Sequence, residues 1–96
     1  MRMFFIIYDA DLDEEVMQLL EECNVLGFTK WDRVLGKGKR SSPKMDDAVW
    51  PGFNCAIALG AEDYSADRIF DKISKFSERM GGKGIKLFEI PVIREI

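Results

Sequence analysis

Residues 3–23 read MFFIIYDADLDEEVMQLLEEC, an apolar run that changes at Asp9 into an acidic stretch with helical spacing. The opening MFFIIY, Met3 to Tyr8, is continuous and rich in β-favouring residues, a pattern that predicts a strand buried on both faces. In the remainder, Leu12, Val16, Leu19, Leu20 and Cys23 fall on one helical face. Asp11 as N-cap with Glu14 three residues later has the form of a capping box, and the early acids complement the helix dipole. A strand that feeds a helix in this way sets the frame for the rest of the chain. After Gly27, FTKWDRVL (28–35) alternates as a second strand. FNCAIALG (53–60) predicts a third, with Phe53, Cys55, Ile57 and Leu59 on one face and the small Asn54, Ala56 and Ala58 on the other. A second helix is expected from Ser65 to Met80, with Ile69, Phe70, Ile73, Phe76 and Met80 as its apolar stripe. Glycines at 81, 82 and 84 stop it. IKLFEIPVI (85–93) then forms a last strand, in which Pro91 points to an edge position or a bulge.

The order β-α-β-β-α-β is the ferredoxin-like arrangement: a four-stranded antiparallel sheet with two helices on one face. It predicts one α+β domain over residues 1–96. The other sheet face is offered Phe, Ile, Ala and Cys rather than charges. Monomers seldom expose a large apolar patch, so a closed cyclic oligomer with its sheets facing inward is expected.

The 96 residues are 47% hydrophobic and carry a net charge of -3. An acidic chain of this kind is not expected to bind nucleic acid, since phosphate contact needs a basic surface. An RNA-recognition module would also need stacking aromatics in its third strand, which here reads FNCAIALG. The metallochaperone pattern MxCxxC is absent from IYDADLDEE. With no histidine in the chain, neither the commonest metal ligand nor the commonest general base is available, and a catalytic role is not expected. Cys23 and Cys55 lack CxxC spacing and predict two free, buried thiols in a reducing compartment. The N-terminal apolar run is too short for a signal peptide or a membrane span, so a soluble cytoplasmic protein without membrane insertion is expected.

The charge is uneven. Residues 1–29 hold seven acids and one base, and residues 30–44 hold six bases and one acid. The basic segment opens an irregular stretch of about residues 36–52. A loop of that length in a small domain is functional or disordered. Two glycine-basic clusters stand out: GKGKR, from Gly36 through Lys37, Gly38 and Lys39 to Arg40, and GGKGIK, from Gly81 through Gly82, Lys83 and Gly84 to Lys86. Glycine lets the backbone approach an anion and lysine supplies charge. The second cluster equally suits helix termination followed by strand entry. Residues of about Gly38 to Val49 are expected to be the most mobile, being polar and without periodicity.

These stretches resemble the P-II nitrogen-regulatory signalling proteins, and more closely the small P-II-like proteins with a shortened central T-loop. LDEEVMQLLEECNVLGFTKWDRVLGKGK is similar to their first helix, second strand and T-loop entry. VWPGFN is similar to the loop exit, and GGKGIKLFEIPV to the glycine-lysine B-loop and following strand. The resemblance implies a homotrimer with inter-subunit clefts that bind adenine nucleotides (ATP, ADP or AMP), and a loop that regulates a partner such as a transporter or metabolic enzyme. It carries Lys86 onto the phosphate-binding lysine, with Ile85 where classical members have glycine. It leaves Arg94 as the one arginine at the C-terminal end, where classical members supply two. The loop has no tyrosine, so uridylylation is not expected. These departures make a small anion at a reworked cleft, formed by Gly36–Lys39, Gly81–Gly84, Lys86 and Arg94, the expected ligand. An alternative is a trimeric divalent-ion-tolerance protein similar to the CutA group, in which Asp9, Asp11 and Asp13, or Asp46 and Asp47, would hold the ion.

Overall fold

The computed structural model describes residues 1–96. Its elements are β1 (Arg2–Asp9), α1 (Asp13–Glu22), β2 (Thr29–Val34), β3 (Asn54–Ala61), α2 (Asp63–Arg79) and β4 (Ile85–Pro91). The strands form one antiparallel sheet in the order β2-β3-β1-β4, the ferredoxin-like topology. Pro91 ends β4, an edge strand, where a missing N–H costs no ladder bond on the open side. A register shift between Trp31 and Val34 bends β2 as it leaves the sheet.

Strand periodicity places Phe4, Ile6 and Tyr8 of β1 under the helices with Cys55, Ile57 and Leu59 of β3. They pack there with Val16, Leu19 and Leu20 of α1 and Ala66, Ile69, Ile73 and Phe76 of α2 in one buried cluster. Both thiols are buried and unbridged, and Cys55 Sγ donates to the Asp32 carbonyl. Expected core positions Phe70 and Met80 of the second helix are instead 46% and 40% exposed, because the helix stripe is narrower than the run of apolar residues.

β1 is not buried on both faces within the chain. Its second face, Met3, Phe5 and Ile7, is only half covered, since no element lies over that side of the sheet. The register sets Phe5 opposite Phe88 and Met3 opposite Ile90, and the Trp31 ring meets Phe5 edge-on at 6.2 Å. Phe88, Ile90 and Trp31 are each nearly half exposed.

The predicted capping box does not form. Asp9, rather than Asp11, caps a single 3-10 turn (Ala10–Leu12), its carboxylate accepting the Asp11 N–H at 2.9 Å. α1 then starts behind Leu12 without a side-chain cap. The inserted turn uses up the residues that would have formed the helix entry.

Candidate functional site

Antiparallel pairing gathers the end of β1, the end of β2 and the starts of β3 and β4 at one end of the sheet. Asp9 lies opposite Asn54, Val34 opposite Asn54, and Tyr8 opposite Ile85. Gly36–Lys39 and Gly81–Lys86 therefore leave from the same end. They leave from opposite edges, however, β2 and β4. Three inter-strand spacings separate those edges, about 14 Å, more than one small anion spans.

The Gly81–Lys86 turn is a helix stop. The Gly82 N–H donates to the Ser77 carbonyl at 2.8 Å and the Gly81 N–H to that of Glu78 at 2.9 Å, the two bonds of a Schellman motif. Both glycines take the left-handed φ this motif requires, +72° and +73°. The expectation that this turn offers a ligand its glycine N–H groups is corrected: those of Gly81 and Gly82 are committed to the helix. What remains is the Gly84 N–H and ammonium charge. Lys83 and Lys86 enter none of the chain's ion pairs, and the Lys86 ammonium stands 5.5 Å from the centre of the Phe88 ring. Beside the turn, between α2 and β4, runs an open groove of about 550 Å³ lined by Phe70, Ile73, Ser77, Gly81, Gly82 and Lys86, among others.

At the other cluster, Gly36 and Lys44 close a small bridge, N–H to carbonyl at 3.0 and 2.7 Å in the two directions. The Gly36 N–H is thus also committed. The Lys44 ammonium turns inward to the Asp9 carboxylate at 2.5 Å and the Asn54 side chain at 3.3 Å, and Arg33 pairs with Asp46 at 2.7 Å. These contacts leave Lys37, Lys39 and Arg40 as the unpaired cations of the loop.

The loop is not uniformly loose. Met45 and Asp47 donate backbone N–H groups to the Trp50 carbonyl, Asp46 donates to that of Gly52, and the Asp47 carboxylate accepts the N–H groups of Val49 and Trp50. Residues 45–52 are therefore a built turn that presents Val49 and Trp50 outward. These bonds narrow the expected mobile part from Gly38–Val49 to the residues before Met45. In hydrogen exchange of the free protein, amides of residues 37–42 should exchange about tenfold faster than those of Met45 to Asp47, the worth of about one net hydrogen bond. Equal rates would mean that the 45–52 turn does not persist in solution.

Of the acids named for a divalent ion, all but the exposed Asp11 are committed elsewhere. Asp9 is paired with Lys44, Asp46 with Arg33, and Asp47 caps its own turn. No three acidic or thiol groups converge in a way that could hold a metal. Asp13 accepts from the Tyr8 hydroxyl at 2.6 Å and from the Lys30 ammonium at 2.8 Å, joining α1 to β1 and β2. Burial pushes the Asp13 carboxyl up, but the bonds from Lys30 and Tyr8 outweigh it and hold the group below the ordinary carboxylate value. Asp9 behaves likewise: Lys44 and the Asp11 N–H overcome burial. Burial, with the Asp13 carboxylate beside it, pushes the Tyr8 hydroxyl far up. Nothing in the local sequence pattern marks these pairings, although an acid cluster beside a basic segment was a signal that they could exist.

Arg94 lies beyond the far end of β4, where Val92 donates to the Met1 carbonyl. The length of β4 separates it from Lys86, roughly 20 Å, so the chain does not bring it to the two glycine clusters.

A family model described as nitrogen regulatory protein P-II matches residues 1–95. No curated protein matches the sequence significantly. Among solved structures the chain is similar to CPII of Thiomonas intermedia K12, a nitrogen regulatory PII-like protein bound to ADP, AMP and bicarbonate. The TM-score is 0.70 at 18% identity, covering 97% of this chain and 88% of that one. It is similar to a DUF3240 family protein of Shewanella baltica OS155, with a TM-score of 0.72 at 10% identity over 99% and 92% of the two chains. A Thermus thermophilus protein described as a putative PII-like signaling protein gives 0.66 at 15% identity over 92% and 82%. At these identities the likeness is one of fold.

Proposed function

The chain belongs to the nitrogen regulatory protein P-II family, and from that premise we infer that it is a non-enzymatic regulator that binds a small anion between subunits of a homotrimer. The observation that carries this reading is the division of unpaired cations between two sheet edges at one end of the molecule. Lys37 and Lys39 stand off the β2 edge, and Lys83 and Lys86 off the β4 edge. In a closed ring whose sheets face inward, the β2 edge of one subunit meets the β4 edge of the next. The two half-sites then converge on one cleft, with the groove beside Gly81 and Gly82 opening onto it. Recognition there works through ammonium charge, with most of the glycine N–H groups already committed.

The ligand class is a phosphate- or carbonate-bearing small molecule. AMP, ADP and bicarbonate are the first probes, because the similar CPII carries all three. Residues 45–52, with Val49 and Trp50 outward beside Lys37, Lys39 and Arg40, supply the loop surface that meets a partner protein. An aromatic side chain on a preformed turn makes contacts at low ordering cost.

Titration calorimetry with AMP, ADP and bicarbonate tests the site. Lys86→Ala should weaken binding by about 10–150-fold, the range for one hydrogen bond to a charged group, and leave the assembly state unchanged. Lys75→Ala, on the exposed side of α2 and paired with Asp71 at 3.0 Å, should bind as the unaltered protein does. Equal losses in both variants would mean diffuse attraction rather than a site. Absence of binding for all three probes would remove the anion reading.

A further inference from the structure

Asp9 and Ala10 hold three separate pieces of the chain. The Asp9 carboxylate takes the Lys44 ammonium at 2.5 Å, and Lys44 is the residue that closes the bridge to Gly36 at the loop entry. The Ala10 N–H donates to the Phe53 carbonyl at 3.1 Å, where the loop returns to β3. The Asp9 N–H donates to the Gly84 carbonyl at 2.8 Å, on the turn that feeds β4. The second carboxylate oxygen of Asp9 is fixed in turn by the Asp11 N–H. No backbone hydrogen bond or ion pair joins the loop to the glycine turn directly. Both hang on two consecutive residues at the end of β1.

We propose that Asp9 and Ala10 form a clasp that couples the central loop to the Gly81–Lys86 turn, so that loosening either one loosens the other. Asp9 is a positioning residue: it acts through Lys44 and Gly84. Coupling of this kind is reciprocal, because one shared bond set enters the local opening equilibrium of both segments. Gly84 is the sensitive point on the turn side. Its φ is +84°, and a Cβ there would stand 3.1 Å from Leu12 Cδ1, just beyond the clasp along the chain. A side chain at 84 would be strained at this φ and would press on Leu12, loosening the turn. The clasp stands on these bonds alone; only its use in passing ligand occupancy to a partner rests on the reading above.

Hydrogen exchange of the full chain without ligand tests the coupling in both directions. Lys44→Met should speed exchange of the Asp9 amide about tenfold, the low end of the range for one charge-assisted bond because both side chains are partly exposed, although the amide's own acceptor on Gly84 is untouched. Gly84→Ala should speed the Lys44 amide by a similar factor. Asp9→Asn, which keeps the side-chain size, should speed the Lys44 amide while Ile6 and Ile57 keep their protection, and it decides the matter if Gly84→Ala does not fold. Changes confined to residues 36–44 in Lys44→Met, with the Asp9 amide unaltered, would overturn the clasp. So would an unaltered Lys44 amide in Asp9→Asn. No arm uses a nucleotide, so a failure to bind AMP would end the anion reading and leave this result standing.

Discussion

Phe88→Glu is expected to turn the assembly into a monomer of 11.0 kDa, where the unaltered chain should sediment at about three times that mass if the proposed homotrimer forms. Phe88 lies on the face of the sheet that no helix covers, opposite Phe5 and flanked by Lys86 and Ile90. It is 47% exposed in the isolated chain, so a carboxylate there has access to water while the chain stands alone. Packed against a neighbour's apolar sheet face, the same carboxylate would lose its water at a cost of several kcal/mol, which the Lys86 ammonium beside it offsets only in part. Far-ultraviolet circular dichroism should therefore change little while the mass falls. A trimer that survives Phe88→Glu would show that this face is not the interface. A monomeric unaltered protein would end the inter-subunit site along with it.

The second large effect concerns stability. Asp13→Ala should lower the unfolding free energy by about 2–4 kcal/mol at neutral pH in urea titrations. Most of that comes from Tyr8, a residue 1% exposed whose hydroxyl would be left without its 2.6 Å acceptor. The Lys30 pair adds less, since side chains 21% and 35% exposed are screened by water. The acid limb gives an independent check. Asp13 and Asp9 both titrate below the ordinary carboxylate value in the folded chain. Between the two values the unfolded chain binds more protons, so stability rises with pH there. The contribution is fully present above the ordinary value of 3.8 and is lost as pH falls through the lower folded value. The gap between the unaltered protein and Asp13→Ala should thus stay constant from neutral pH down to about 4 and close below it. Asp11→Ala, at an exposed carboxylate, should change stability by less than about 0.5 kcal/mol. A gap that widened in acid would mean that the Asp13 bonds do not stabilise the fold.

Much of the architecture was legible because it depends on short-range periodicity. The helix stripes of Val16, Leu19 and Leu20 and of Ile69, Ile73 and Phe76 repeat every three or four residues, and the face carrying Cys55, Ile57 and Leu59 repeats every two. Pro91 pointed to an edge position or a bulge because a residue without an N–H has few places in a sheet, and β4 is an edge strand. The same local reading overreached at Asp11. A capping box and a 3-10 turn capped two residues earlier use the same residue types, and one intervening turn decides between them. At the glycine clusters, composition correctly marked turns and charge. Whether a glycine N–H is free or already donated into a helix is a matter of two dihedral angles per residue, which composition does not encode.

By itself, then, the sequence determined the order of elements, their apolar faces, the basic loop and the resemblance to the P-II proteins. Each of these is written within a few neighbouring residues. Only the tertiary structure decided which charges meet. Lys44 reaches back 35 residues to Asp9, and Lys30 reaches back 17 to Asp13. The loop supplies several lysines of equal local character, and α1 supplies several acids. Charge attraction alone is too long-ranged and too weak in water to choose among them. The choice falls to the antiparallel register, which sets Asp9 opposite Asn54 and Lys30 opposite Ile57, and so brings one lysine to one carboxylate where partial burial makes the contact count.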